Sequence, residues 1–202
     1  MKKVIFSPLI LLLLAACGAS APPAYPLPSP AAPQVLNPVV DIATPVCINP
    51  APAQADIDRA LSFPGAVFDT DDWERTYTVS TDKVIVSWYN DTIPSIVNLE
   101  ALIFPCQYEE VDLDLFFSAD SWSIIFGNYQ SYQYLGGCRN DSGLRLYHLN
   151  AVDQDIQYQV RYWVVNDTPT RVITFMLVLP TNADAQMDEF AYSLFPMLTT
   201  CP

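Results

Sequence analysis

The spacing of apolar residues changes along this chain, and each change predicts a different kind of segment. Val4 to Ala16 is a continuous apolar run of 13 residues interrupted only by Ser7 and Pro8, and it follows Met1-Lys2-Lys3. A charged start and a short apolar stretch predict a secretory signal. The run falls short of the roughly 20 residues that a helix needs to cross a hydrocarbon core. Periodicity then disappears until Ala53, where Ala53–Ser62 reads as a short helix broken by Phe63-Pro64-Gly65. Trp73–Ser80 and Lys83–Asn90 alternate like strands, with Trp73, Arg75, Tyr77 and Val79 on one face, and Ser80-Thr81-Asp82 is short enough to close a hairpin.

After Pro94-Ser95, the residues Ile96, Val97, Leu99, Leu102 and Ile103 predict a helix with one buried side. Asp112 and Asp120 stand where N-caps belong, before Leu113–Phe117 and Ser121–Phe126, so the middle third is expected to be helical. The last third is strand-rich: Tyr129–Cys138, Gly143–Ala151, Ile156–Val165 and Arg171–Leu179 follow one another. In the third of these, Tyr158, Val160, Tyr162 and Val164 share a face, opposite Gln157, Gln159, Arg161, Trp163 and Val165. Asn140-Asp141-Ser142-Gly143 and Asn166-Asp167-Thr168-Pro169 supply turn chemistry between strands. A closing helix from about Ala183, capped by Thr181 or Asn182, carries Met187, Phe190, Ala191, Leu194 and Phe195 on one stripe. The expected class is α+β: an antiparallel sheet made of an N-terminal hairpin and a four-strand meander, partly covered by helices, with a C-terminal helix.

Leu14-Ala15-Ala16-Cys17-Gly18 ends the apolar run. It resembles the lipobox of bacterial lipoproteins, a Leu and two small residues before a Cys. The resemblance covers only the first residues of the chain. It implies cleavage before Cys17, a diacylglycerol on the Cys17 thiol, and a lipid anchor at the outer face of a cell membrane or at the outer membrane. Gly18, not Asp, at the next position favours the outer membrane where the cell has two. Each acyl chain adds about 0.8 kcal/mol per buried methylene, so two or more chains anchor stably.

Ten prolines lie between Pro22 and Pro52, and Asp41 is the only charged residue from Gly18 to Ala55. Proline's fixed φ and missing N–H favour extended polyproline II over helix or sheet. The expected organisation is therefore a signal peptide over residues 1–16, a lipid-anchored Pro-rich linker over 17–45, and a single exported domain over 46–202. A fully extended linker of this kind, at about 3.1 Å per residue, reaches roughly 90 Å.

Formal charge is −13 with Lys2 and Lys3 present, and −15 once they are removed. An acidic chain without a basic patch is not built to bind nucleic acid or anionic headgroups, which leaves the membrane to the anchor on Cys17. Beyond Cys17 there are four cysteines, and an even number in an exported domain predicts two disulfides. Three pairings are possible; Cys106–Cys138 and Cys47–Cys201 are favoured, the first tying a helical segment to the sheet and the second clamping the chain ends.

Candidate chemistry is sparse. There is no CxxC pair and His148 is the only histidine, which argues against zinc. His148 alternates with Leu144 and Leu146, as a half-buried, hydrogen-bonded side chain would, and no G-x-S-x-G frame accompanies it. Two carboxylate groups, Asp69, Asp71, Asp72 and Glu109, Glu110, Asp112, Asp114, lack EF-hand spacing and read as solvated surface and helix caps. Asn90, Asn140 and Asn166 begin sequons that read more simply as turns. Tyr129, Tyr132, Tyr134, Tyr158, Tyr162 and Trp163 are the candidate binding residues, because rings with a polar handle suit wet interfaces. The chain is expected to be a non-catalytic binding or accessory module on a stalk, needing neither metal nor cofactor. Its partner would be a glycan, a peptide or an envelope protein. The alternatives are a hydrolase using carboxylates such as Glu109 or Asp72, and a purely structural envelope protein.

Overall fold

The computed structural model describes residues 51–107 and 110–202. The expected signal and linker, with Cys17 and Cys47, lie outside the described residues, as does Glu109. A short helix α1 (Gln54–Ser62) opens the fold, its first turn held by the Ala53 N–H donating to the Asp56 carboxylate at 2.8 Å. Three strands follow: β1 (Glu74–Val79), β2 (Lys83–Asn90) and β3 (Ser95–Ile103). Then come α2 (Glu110–Phe116), α3 (Ala119–Ile125) and the strands β4 (Ser131–Arg139), β5 (Arg145–Asp153), β6 (Ile156–Thr168) and β7 (Arg171–Pro180). Helix α4 (Asp184–Leu194) closes the order. All seven strands form one antiparallel sheet in the order β1-β2-β3-β7-β6-β5-β4. Two meanders, β1–β3 and β4–β7, thus meet at the β3–β7 pair. The expected α+β class, with hairpin, four-strand meander and final helix, is the class observed.

The expected helix over 96–103 is instead the strand β3. Its burial alternates along its length, with Ser95, Val97, Leu99, Ala101 and Ile103 buried. Residues 96–103 satisfy both periods because β3 sits inside the sheet, where Ile96 and Leu102 pack on the opposite face as well. The cap positions also differ: α3 begins after Ser118, with Asp120 in its first turn. Helix α2 already includes Asp112, and α4 begins after Ala183 and not after Thr181 or Asn182.

Turns behave as their side chains dictate. The Asn90 amide oxygen accepts from the Thr92 and Ile93 N–H groups at 2.9 and 3.0 Å, and that of Asn140 from Ser142 and Leu144 at 3.1 and 3.0 Å. Asn166-Asp167-Thr168 is not a turn, because β6 runs on through Thr168. Asp167 instead accepts from Arg59 of α1 and from Arg171 of β7, and Arg171 also reaches Asp56 at 2.6 Å. This network fastens α1 to the β6–β7 turn. The β5–β6 turn has Gln154 and Asp155 at φ 47° and 66°, a two-residue type I′ connection.

Each sheet face has its own core. On one face Val84, Val86, Trp88, Val97, Leu99, Phe175 and Leu177 pack under α1, α4 and Phe68, with Met187, Ala191 and Phe195 supplying the α4 side. On the other, Leu149, Val160, Tyr162, Val164 and Val178 pack under Leu113 and Phe117 of the α2 segment and Trp122 and Phe126 of the α3 segment. Each such apolar side chain, fully buried, contributes about 1.5–3 kcal/mol. Arg145 is 2% exposed beneath α2 and donates to Asp114 at 3.0 and 3.1 Å, so Asp114 anchors that helix to β5.

The favoured disulfide pairing is corrected. Cys138 bonds Cys201, with their Cα atoms 5.5 Å apart. The chain beyond α4 returns along the α4 face to β4, where Cys138 stands in register with Leu146. Cys106 follows the end of β3, four strands away from β4 in the sheet. At about 4.8 Å per strand that distance is far beyond the roughly 7 Å limit for bridging. Because Cys138 and Cys201 bond each other, neither Cys106–Cys138 nor Cys47–Cys201 forms, and Cys106 is in a separate disulfide.

Candidate functional site

The face covered by α2 and α3 is aromatic. Tyr162 is 5% exposed beneath Phe117 and Trp122, with ring centroids 5.8 and 5.4 Å away. Strand β4 adds Tyr132, stacked on Phe126 at 5.6 Å, and Tyr134, stacked on Trp122 at 6.0 Å. Tyr129 lies 5.4 Å from Phe126, and Tyr158 shares its face with Tyr162 through the alternation of β6. Five of the six expected binding residues, Tyr129, Tyr132, Tyr134, Tyr158 and Tyr162, therefore stand on one face.

Trp163 does not join them. It is fully buried on the α4 face, stacked on Phe195 at 4.6 Å, and its indole N–H donates to the Leu198 carbonyl at 2.8 Å. The odd–even alternation of β6 already separated Trp163 from the tyrosines. Tyr162 is equally a core residue. That leaves Tyr129, Tyr132, Tyr134 and Tyr158 with surface to offer; Tyr132 and Tyr134 are 37% and 46% exposed.

Where α3 ends, the sheet face beside it is open, and two cavities of about 290 Å³ each lie there. Asn98, Ile125 and Met176 belong to both, so together they make one groove along β3 and β7. At one end it is bounded by Tyr129, Tyr158, Asn128 and Asp153. At the other stand Lys83 and Glu100, ion-paired at 3.2 Å. Asn98 is oriented by the Ser87 hydroxyl, which donates to its amide oxygen at 2.7 Å. The phenols here stay protonated. Burial, then the nearby Tyr158 and Asp153, push Tyr129 up to about 12. Burial and Asp153 also raise Tyr158. Burial raises Tyr147 to about 12 and Tyr162 further still. The groove thus offers neutral hydroxyl donors, primary amides and one free-standing carboxylate over an apolar floor. Asn98, Ile125, Asn128, Asp153 and Met176 were missed as site residues. Asn98 was hidden by the helical reading of 96–103.

A further cleft of about 650 Å³ opens at one end of the sheet, between the β2–β3 turn, the β5–β6 turn and the start of α4. Its lining, such as Thr92, Gln157, Asn182 and Gln186, is polar and lies largely on loop ends.

The other candidates are placed apart. His148 is half-buried on the face of Leu146, opposite Arg161 in the register, and its Nε2 has no hydrogen-bond partner. Burial, then Arg161, holds its pKa below the ordinary value. The expectation of a hydrogen-bonded histidine is thus not met at that nitrogen. Asp69, Asp71 and Asp72 are exposed on the loop before β1, and Asp114 is engaged with Arg145. Among the described residues no group of three His, Cys, Asp or Glu side chains is placed to hold a metal ion, and no helix is long and apolar enough to cross a membrane.

Geometry thus defines a class: an antiparallel sheet between two helical layers, with a mixed polar and apolar groove beside one of them. Comparison with protein-family models and with curated proteins finds no match.

Proposed function

We propose that this chain is an exported lipoprotein, lipid-anchored through Cys17, whose domain is a non-catalytic binding module carried on a Pro-rich stalk. The observation that carries the binding role is the groove along β3 and β7, where Tyr129 and Tyr158 flank amides and a carboxylate over Ile96, Met176 and Val178. Ligand sites are typically concave and apolar with a few placed polar groups. The lipobox-like Leu14-Ala15-Ala16-Cys17 and the proline-rich segment after it support the anchor and the stalk.

The test is a thermal-shift screen of the full chain, in nonionic detergent, against glycans, peptides and small metabolites. A ligand at 100 times its Kd adds about 2.7 kcal/mol of stability. For a domain of roughly 150 residues, with an unfolding entropy of about 0.3 kcal/mol/K, that is a rise of about 9 °C. A hit lost on Tyr158→Ala supports the reading; a hit indifferent to every groove residue overturns it. In cells, Cys17→Ser should move the protein from the membrane fraction to the soluble fraction. Unchanged membrane retention would refute the anchor.

A further inference from the structure

We infer that the Tyr129–Tyr158–Asp153 end of the groove is a site for an organic cation, an ammonium group carried on an apolar body. This deepens the binding-module reading and rests on it.

Charge and shape both point that way. Among the described residues lining this cavity, Asp153 is the only acid and there is no Lys, Arg or His. The one base of the adjoining cavity, Lys83, is already held by Glu100. An anionic ligand would meet Asp153 with no counter-charge, in a chain whose formal charge is −13. A cation meets a carboxylate and two tyrosine rings, whose faces attract positive charge. The groups are close enough together to act as one unit: Asp153 raises the pKa of both Tyr129 and Tyr158, and Tyr158 that of Tyr129.

Their positions are fixed by elements of different origin. Asp153 ends β5 and pairs with Ile156 across the type I′ turn, Tyr158 follows two residues on along β6, and Tyr129 stands on the segment leaving α3. The Gln130 N–H donates to the Val152 carbonyl at 2.9 Å and ties that segment to the hairpin. Below the polar end, Ile96, Ile125, Met176 and Val178 give an apolar floor for the body of the ligand. Asn98 and Asn128 leave amide groups at its rim.

The probes are tetramethylammonium and n-butylammonium, titrated into the full chain at constant ionic strength. Neopentyl alcohol, n-butanol and butyrate serve as neutral and anionic counterparts, and sodium chloride as the inorganic cation. Ammonium probes should raise Tm and give saturable heats in calorimetry, about tenfold tighter than the alcohols, with butyrate inert. Asp153→Asn should weaken them about tenfold, and Tyr158→Leu by a similar factor, while Tyr158→Phe, which keeps the ring, should bind like the parent. An unchanged unliganded Tm shows that each variant folds.

Alcohols binding as well as ammonium ions, or full binding by Asp153→Asn, would overturn the cation assignment. No response to any ammonium probe, with a glycan or peptide still raising Tm through Tyr158, would overturn it too and leave the binding-module reading standing. Silence from both sets of ligands would count against both.

Discussion

Removing the Cys138–Cys201 bond by the double substitution Cys138→Ala and Cys201→Ala should lower stability by a calculable amount. The bond closes a loop of 63 residues. In the chain-entropy treatment such a loop restricts the unfolded state by about 4 kcal/mol. With an unfolding entropy of about 0.3 kcal/mol/K for roughly 150 residues, Tm should fall by about 13 °C. Both cysteines are also partly buried against the α4-side core, so the change is transmitted to a packed region and not to a frayed end. The double variant is the right perturbation, because a single free thiolate attacks other disulfides, and Cys106 is in one. Calorimetry on the oxidised full chain measures the shift, and non-reducing peptide mapping identifies the bonds. Mapping should return Cys138 linked to Cys201. If Cys17 carries the proposed lipid, it should return Cys106 linked to Cys47. A Tm change under about 3 °C, or a Cys106–Cys138 peptide, would refute the reasoning.

Two titrations should separate along the pH axis. At Asp167, burial works to raise the carboxyl, but hydrogen bonds from Arg59 and Arg171 and their charges outweigh it and hold the group below its usual range. Its stabilising contribution is present above the unfolded value near 3.8 and is lost as pH falls through the lower folded one, so Asp167→Asn should flatten that acid limb and cost about 2 kcal/mol at neutral pH. His148 is likewise depressed, by burial and then Arg161, so stability should fall as pH drops from about 6.5 through the lower folded value. Denaturant melts of His148→Gln should lack that step, and a step of unchanged size would rule His148 out as its source. At the β5–β6 turn, Gln154→Asn with Asp155→Gly should raise stability by about 1 kcal/mol in urea melts, since both residues stand at positive φ. A loss there would mean that the turn is held by something other than its backbone preference.

How far the fold was legible depended on how many faces of a strand are buried. β5 and β6 are polar on part of the α4 face, through His148, Asn150, Gln159 and Arg161, the last two bonded to Asp184 and Asp188 of α4, so their alternation survives in the sequence. β3 packs on both faces, and its apolar residues fill a helical pattern as readily as an extended one. The strand reading was still available from length and composition: nine residues, β-branched at Ile96, Val97 and Ile103, following Pro94. The site suffered from the same error. Tyr129 and Tyr158 could be named from the sequence, but Asn98 and Met176 reach the groove only because β3 and β7 pair across the centre of the sheet. No local pattern encodes that pairing. The disulfides fail for a related reason, since proximity of Cys138 and Cys201 depends on where the chain goes after α4.

The groove's position follows from the order of the strands. Because β7 pairs with β3, the chain leaving β3 at the centre must cross to the far edge before β4 can begin. Its two helices are laid along that path, over β7, β6 and β5, and no residue of β1 or β2 joins the core beneath them. On the opposite face α1 and α4 lie over β2, β3, β7 and β6, and the chain beyond α4 covers β4 and β5 at Cys138 and Leu146. The two layers therefore overlap on β6 and β7, and only the α1–α4 layer has core residues from β2. The margin of the α2–α3 layer falls along β3 and β7, where Ile96, Met176 and Val178 still need apolar contact while Asn98 and Glu100 need polar contact. A step between a helix and a sheet face that must satisfy both is a concavity with mixed lining. Strands β5 and β6 then bring Asp153 and Tyr158 to its end through the shortest of connections, the Gln154-Asp155 turn. Lengthening that turn by one residue should shift Asp153 relative to Tyr158 and weaken ammonium binding while leaving the sheet intact. Undiminished binding in such a variant would mean that the carboxylate and the ring do not act together.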